Sequence, residues 1–363
     1  MMNNVNMMLS FSDIKKDTQE TFNESVKELV SIVKKVSIVT PVYKAEKYIG
    51  DCIQSVINQT YPSIEFVLVD DCGGDKSVDI INDFISSTHK DGLEIKLIHH
   101  EHNQGVAAAR SHAMQAATGD YIFCLDSDDM LKPECIDHLV KRMDETDADF
   151  VVCGHYSDME NSALGGHLCA PVALIERNEE CIHALAKCWF NVAPWCKLLK
   201  RSFIEKNHLY FRDGIINEDV PWTFQLCLNA DRIAFLNEDL YYYRYNDISI
   251  MSSSKKNAIC SSSKVILDIY SQEIQKRPYL WNNREVYLLW MRQVVLYFTI
   301  VAKYFTFHTY LQKIRILQSL KYDSIWFKAQ DVPISYKMWN IAQNMPSLLA
   351  GIFTFYLIKF QNK

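Results

Sequence analysis

The sequence predicts an α/β fold, a mostly parallel β-sheet flanked by helices, followed by a helical C-terminal region. Three observations predict it. Between residues 36 and 153, short apolar or β-branched runs alternate with segments of helical apolar spacing, joined by short turns. Successive runs end in polar clusters. Beyond Ser261 the strand-like runs stop and long helical patterns take over.

Taken in order, residues 11–35 set Ile14, Phe22, Val26, Leu29, Val30 and Val33 at helical spacing against a charged face, an N-terminal amphipathic helix within 1–35. Val36–Tyr43 is a first strand, closing at Thr40-Pro41, and Ala45–Asn58 carries an apolar helical stripe. Ile64–Val69 is a second strand ending in Asp70-Asp71; a helix at Ser77–Ser86 and a strand at Glu94–His99 follow. Asn103-Gln-Gly105 opens an alanine-rich helix, Val106–Ala117, and Gly119-Asp120 turns the chain into a strand at Tyr121–Leu125. Right-handed crossovers bring successive strand ends to one rim, so Thr40–Tyr43, Asp70–Asp71, Asn103–Arg110 and Asp126–Asp129 should converge there. A helix at Pro133–Asp144 and a strand at Asp149–Cys153 come next, then a loop over 154–175 and a helix at Glu179–Phe190. Glu218-Asp219 precedes a helix at Val220–Cys227, and Arg232–Leu236 and Leu240–Tyr245 read as two short strands. Helices are expected at Val265–Ile274, Val286–Tyr304 and Thr309–Leu320. The Ser/Lys/Asn-rich stretch 252–263 divides a catalytic domain, 36–251, from a helical region, 252–363.

At 363 residues the chain can bury one large core or two modest ones. A net charge of −6 argues against a general nucleic-acid binder. The charge is uneven: from Ala302 to the end, seven Lys and one Arg face two Asp, a net +6, so the first 301 residues carry −12. The 11 cysteines are scattered without a CxxC pair, and several lie in apolar runs, a pattern suited to a reducing cytosol. Met1–Ser10 is short and polar and does not read as a secretory signal. The longest apolar run, Ser347–Ile358, falls well short of the ~20 residues a membrane-spanning helix needs.

The stretch with most chemistry is Tyr121-Ile-Phe-Cys-Leu-Asp-Ser-Asp-Asp-Met130, a buried-strand pattern that ends in three carboxylates. Asp126 and Asp128 can aim at one hard cation, Mg²⁺ or Mn²⁺, which completes its shell with phosphates and water. The competing reading is a solvated acidic turn, with Asp129 capping the helix after Lys132-Pro133-Glu134. His99, His100 and His102 lack metal-ligand spacing and read as structural or solvated.

Val36-Ser-Ile-Val-Thr-Pro-Val-Tyr43, Gln59-Thr-Tyr61, Val67-Leu-Val-Asp-Asp71, Asn103-Gln-Gly-Val-Ala-Ala-Ala-Arg110 and Leu125-Asp-Ser-Asp-Asp129 follow one another as in family-2 glycosyltransferases. Trp195-Cys-Lys197, Glu218-Asp219 and Tyr241-Tyr-Tyr-Arg-Tyr245 continue a resemblance that covers about residues 36–250. It implies the GT-A fold and a transferase of the kind that builds bacterial capsule, lipopolysaccharide and other surface glycans. It implies a nucleotide-sugar donor, a UDP-sugar, in contact with Pro41, Tyr43, Asp71, Asn103, Arg110 and Asp126, with the metal on Asp128 and Asp126. Asp219 would be the general base, Glu218 its orienting neighbour, and Arg244 and Ser249 would close over the diphosphate. Trp195 and Lys197 would line the sugar pocket. Cys72-Gly73-Gly74 departs from the family's usual Gly-Ser after the paired acids, which changes the loop but not the carboxylates. Structural roles compete at several positions: Asp70-Asp71 as a cap for the helix near Lys76, Arg110 as an ion pair with Asp120 or Asp126, Glu218-Asp219 as a helix start, and Trp195 as a core aromatic.

One base acting in one displacement implies inversion, and the acceptor is expected to be a glycan or lipid-linked glycan. The basic, aromatic tail suits peripheral contact with the inner face of an anionic membrane, or else a helical domain that forms a homodimer or covers the core. Two rivals are a sugar nucleotidyltransferase, expected to carry a Gly-rich phosphate loop that Thr40–Tyr43 lacks, and a catalytically inactive carbohydrate-binding protein. An NAD enzyme is not expected, because no GxGxxG follows the first strand.

Overall fold

The computed structural model describes residues 33–157, 168–244, 256–319 and 332–361. The expected N-terminal helix lies, but for its last residues, outside the described residues, as does Ser249. The first half alternates as the sequence indicates: β1 (Val36–Val42), α1 (Ile49–Ile57), β2 (Ile64–Asp70), α2 (Ser77–Ser87), β3 (Leu93–His99), α3 (Val106–Ala116) and β4 (Tyr121–Cys124). There follow β5 (Met130–Leu131), α4 (Cys135–Thr146), β6 (Phe150–Tyr156), β7 (Leu174–Ile175), α5 (Asn178–Ala186), β8 (Lys197–Lys200), α6 (Arg201–Asn207), α7 (Asp219–Asn229) and β9 (Ile233–Tyr242). Helices α8 (Lys256–Lys276), α9 (Arg284–Tyr304), α10 (Phe307–Ser319), α11 (Ile334–Gln343) and α12 (Ser347–Gln361) complete the described chain.

The strands form one sheet in the order β3-β2-β1-β4-β8-β6-β9-β5, with β7 also paired to β9. The block β3-β2-β1-β4 is parallel, as is β6 with β9, whereas β8 runs antiparallel to both β4 and β6. Every residue of β1 and of β4 is buried, because helices cover both faces. Alternation by two then sorts the strands into two cores. Ile38, Phe66, Leu68, Phe123 and Val151 face α1 and α4, while Val39, Val67, Ile122, Cys124 and Val152 face α3, α5 and α7.

Three expectations are corrected and one strand is added. The two strands expected over Arg232–Leu236 and Leu240–Tyr245 are, within the described residues, one strand, β9 (Ile233–Tyr242), which continues through Asn237-Glu238-Asp239. There Gly154 of β6 lies so close to β9 that a Cβ would stand 2.2 Å from Asp239 Oδ1, and the ladder shifts register around it. The stretch 154–175 is not wholly loop: β6 runs on to Tyr156, and β7 adds a short pairing. β8, at the centre of the sheet, was not expected; Lys-Leu-Leu-Lys is too short to show alternation. Finally, α8 begins at Lys256, inside the stretch read as a linker. Its Ile266, Leu267 and Tyr270, with Trp290, Met291 and Val294 of α9, belong to the same apolar cluster as the sheet residues Val39 and Ile122. The Tyr270 ring stacks on Phe224 of α7 at 3.9 Å.

Helix α9 has the length and hydropathy to cross a bilayer, but 56% of its apolar window is buried inside the protein. It is wedged among α8, α5 and α10 as a core helix.

Candidate active site

The rim at the carboxyl ends of β1, β2 and β4 gathers the polar clusters. Asp126 and Asp128 follow β4 and are half-buried; Asp129 is 1% exposed. Asp129 does not cap α4, whose first turn has no side-chain cap. It ties the acidic loop to β9 instead: the Tyr241 hydroxyl donates to Asp129 Oδ2 at 2.6 Å and accepts from the Asp126 N–H at 3.2 Å, and the Arg244 N–H donates to Asp129 Oδ1 at 2.8 Å. Burial, then the charges of Asp126 and Asp128, push the Asp129 carboxyl up to about 8. Arg244 lies across this loop. Its Nε donates to the Asp128 carbonyl at 3.0 Å, its Nη2 to Asp51 at 2.8 Å, and its guanidinium sits over the Tyr48 ring.

Arg110 is the hub. It projects from α3, is 3% exposed, and donates from Nη2 to Asp126 at 2.9 Å and from Nη1 to Glu218 at 2.7 Å. Its guanidinium also lies 5.0 Å from the Phe211 ring centre. The ion pair with Asp126 is thus present, the one with Asp120 is not formed, and Glu218 is a partner that the sequence reading did not identify. This clamp joins the end of β4 to the start of α7. Asp219, the first residue of α7, accepts its own helix's Val220 N–H at 2.9 Å. Burial raises its pKa, Glu218 adding to the rise and Arg110 opposing it. Glu218 stands at the N-cap position, yet its side chain goes to Arg110 rather than to the helix.

Asp71 is 2% exposed and organises the loop before α3. It accepts Gln104 N–H at 2.7 Å and Gly105 N–H at 2.8 Å, and its backbone carbonyl accepts from Asn103 Nδ2 at 3.2 Å. Gly105 has φ +93°, a left-handed conformation that favours glycine and lets both amides point at one carboxylate. Asp71 also pairs with His100 Nδ1 at 2.8 Å, and His100 Nε2 meets His112 Nδ1 at 2.8 Å. Neither Asp70 nor Asp71 caps α2; Asp75 holds that turn, accepting from Ser77 N–H and Glu46 N–H. Asp71, expected to accept a hydrogen bond from the base or ribose of the donor, is buried under the Asn103–Gly105 loop. Pro41 is buried at the end of β1, and Tyr43 beyond it is 48% exposed on the rim. Exposed Asn103 shares that rim.

Trp195 and Lys197 do not line an open pocket. Trp195 is 5% exposed and stacks on Tyr241 and Tyr243, with His155 against it edge-on, so its rings are consumed by the core. Lys197 is 1% exposed; its ammonium donates to the carbonyls of Asn191 and Ala193, and burial lowers its pKa to about 8. Trp195 packs on Tyr241, whose hydroxyl holds the acidic loop, and Lys197 is tied to the turn at Asn191–Ala193.

Two hard carboxylates beside a crowded acidic loop form a donor set that suits Mg²⁺ or Mn²⁺. Among the described residues no three His, Cys, Asp or Glu side chains converge on one point. A divalent ion at Asp126 and Asp128 would therefore take most of its shell from a bound diphosphate and water.

A sheet whose strand ends collect carboxylates, with the buried Glu218 clamped to Asp126 through Arg110 and Asp219 beside it, is the layout of an α/β group-transfer enzyme. The glycosyl transferase family 2 model matches residues 37–207. The chain is 30% identical over 250 residues to glycosyltransferase GlyG of Streptococcus pneumoniae serotype 4, covering 66% of this chain and 79% of that protein. It is 32% identical to the putative glycosyltransferase EpsH of Bacillus subtilis over 61% of this chain and 64% of the relative, so it spans less than two thirds of that protein. Among solved structures, residues 1–349 of Staphylococcus aureus TarS in complex with UDP-GlcNAc share the fold, with a TM-score of 0.62, 20% identity and about nine-tenths of each chain covered. The chain belongs to glycosyl transferase family 2, has the GT-A fold and is a glycosyltransferase.

Proposed function

We propose that the protein moves a sugar from a UDP-sugar to a hydroxyl of a bacterial surface glycan or lipid-linked glycan, with inversion at the anomeric carbon. The observation that carries the reading is the Arg110 clamp, which ties Asp126 at the end of β4 to Glu218 beside Asp219. Support for the donor comes from the solved TarS complex with UDP-GlcNAc and from a 27% identical relative named poly(ribitol-phosphate) β-N-acetylglucosaminyltransferase. In this reading Tyr43 and Asn103 flank the base and ribose, and Asp71 shapes that wall from beneath. Asp126 and Asp128 hold a divalent ion, which when bound neutralises charge on the departing diphosphate. Arg244, beside Asp128, adds a fixed positive charge at the same place. Asp219 takes the proton of the acceptor hydroxyl as that oxygen bonds to the anomeric carbon; its raised pKa suits a base. The 11 cysteines are scattered and seven are buried, a pattern suited to a reducing compartment, the cytoplasmic face of a membrane on which lipid-linked acceptors are carried.

The test is a panel of UDP-, GDP- and CMP-sugars with Mn²⁺, followed by NMR of the glycosidic product. Turnover of one UDP-sugar with an inverted linkage is expected. A retained configuration, or turnover confined to GDP- or CMP-sugars, would overturn the reading.

A further inference from the structure

Helix α12 is apolar all round, but only one side of it is covered. Ala350, Gly351, Thr354 and Ile358 are buried. The inner side meets α10 closely enough that a Cβ on Gly351 would stand 2.1 Å from Leu311 Cδ2, and Tyr310 donates to Thr354 Oγ1 at 2.7 Å. The other side presents Leu348, Leu349, Ile352 and Tyr356, between 39% and 58% exposed, at helical spacing. Helix α11 continues the surface with Ile334, 75% exposed, and Ile341. Its Met338 joins Phe353, Tyr356 and Leu357 of α12 around an apolar groove of about 450 Å³. A globular helix normally turns such a stripe inward, and a contiguous exposed patch marks a contact surface.

Charge decides what contacts it. Residues 302–319 and 332–361 contain Lys303, Lys313, Arg315, Lys337 and Lys359 and no Asp or Glu, on a chain whose first 301 residues carry −12. A second copy would bring two such basic helical ends together, which opposes pairing. An anionic bilayer answers both features: its boundary region takes the apolar side chains and its phosphates take the Lys and Arg heads. We infer that the α11–α12 face docks on an anionic lipid surface, Leu348, Leu349, Ile352 and Tyr356 entering the headgroup boundary. Binding is read without turnover, so this inference stands or falls independently of the transferase chemistry.

The experiment is co-sedimentation of the full chain with vesicles of phosphatidylcholine alone or with about one third phosphatidylglycerol, at low and high salt. Binding to the anionic vesicles, weakened by salt and reduced at least tenfold in Leu349→Asp and in Ile352→Asp, is expected. Circular dichroism and light scattering on the same variants should match the unmodified chain; Lys313→Glu, which leaves the apolar face intact, should weaken binding less. Failure to bind anionic vesicles would overturn the inference. So would a dimer that the Asp variants dissociate, which would assign the face to a second copy.

Discussion

Arg110 decides how the site is held. Its side chain is 4% exposed between Asp126 and Glu218, so removing it strands two carboxylates. Breaking a buried pair from one side typically costs about 3–5 kcal/mol. Arg110→Met should therefore lower the melting temperature by several degrees and abolish turnover; an unchanged melting curve would contradict the clamp. Asp219 makes a pH prediction. Its pKa is raised by burial and by Glu218, and a base works only when deprotonated, so the acid limb of kcat should lie above the ordinary carboxylate range. Glu218→Gln removes the like charge and should move that limb to lower pH; a shift to higher pH would contradict the arrangement. The Asp71–His100–His112 chain makes a third. His100 Nδ1 pairs with Asp71 and its Nε2 meets His112 Nδ1, so His100 braces the carboxylate that fixes Gln104 and Gly105. His100→Ala should raise the donor KM severalfold while kcat holds, because it loosens a wall rather than a reacting group. A fall in kcat at unchanged KM would place His100 elsewhere in the chemistry.

Among the elements, the parallel strands were legible because burial on both faces leaves an unbroken apolar run, and their ends because carboxylates interrupt it. β8 was not: four residues carry no period. The Arg110–Glu218 bridge spans 108 residues of sequence, and no local pattern announces such a pair. Trp195 and Lys197 were recognisable as residue types, yet spacing does not reveal burial, and both turned out to be buried. β2 hides another unannounced feature. Glu65, wholly buried, accepts from Lys96 Nζ at 2.6 Å, from Thr118 N–H at 2.8 Å and from Ser37. Burial alone would raise its pKa, but these donors, Lys96 foremost, hold it at about 2. A depressed carboxylate stabilises the fold above its unfolded pKa of about 4.5, and that contribution disappears as pH falls towards 2. Glu65→Gln should cost about 2 kcal/mol near neutrality and flatten the acid dependence of the melting temperature. Parallel acid profiles for the two proteins would contradict this.

Across the whole molecule, the acidic catalytic body and the basic helical end share one apolar cluster, so α8 and α9 brace the sheet face that carries α7 and Asp219. The tail's composition was plain in the sequence; which side of α12 it leaves open was not, because a helix apolar on every face gives no stripe to read. The central claim is that Asp219, next to the Glu218 that Arg110 clamps to Asp126, is the base of a UDP-sugar transfer. It is tested most directly by comparing donor binding and turnover in Asp219→Asn with the unmodified enzyme under the same metal. The account predicts donor affinity within a fewfold and turnover lower by roughly 10²–10⁴. Turnover within a fewfold of the unmodified enzyme would contradict it.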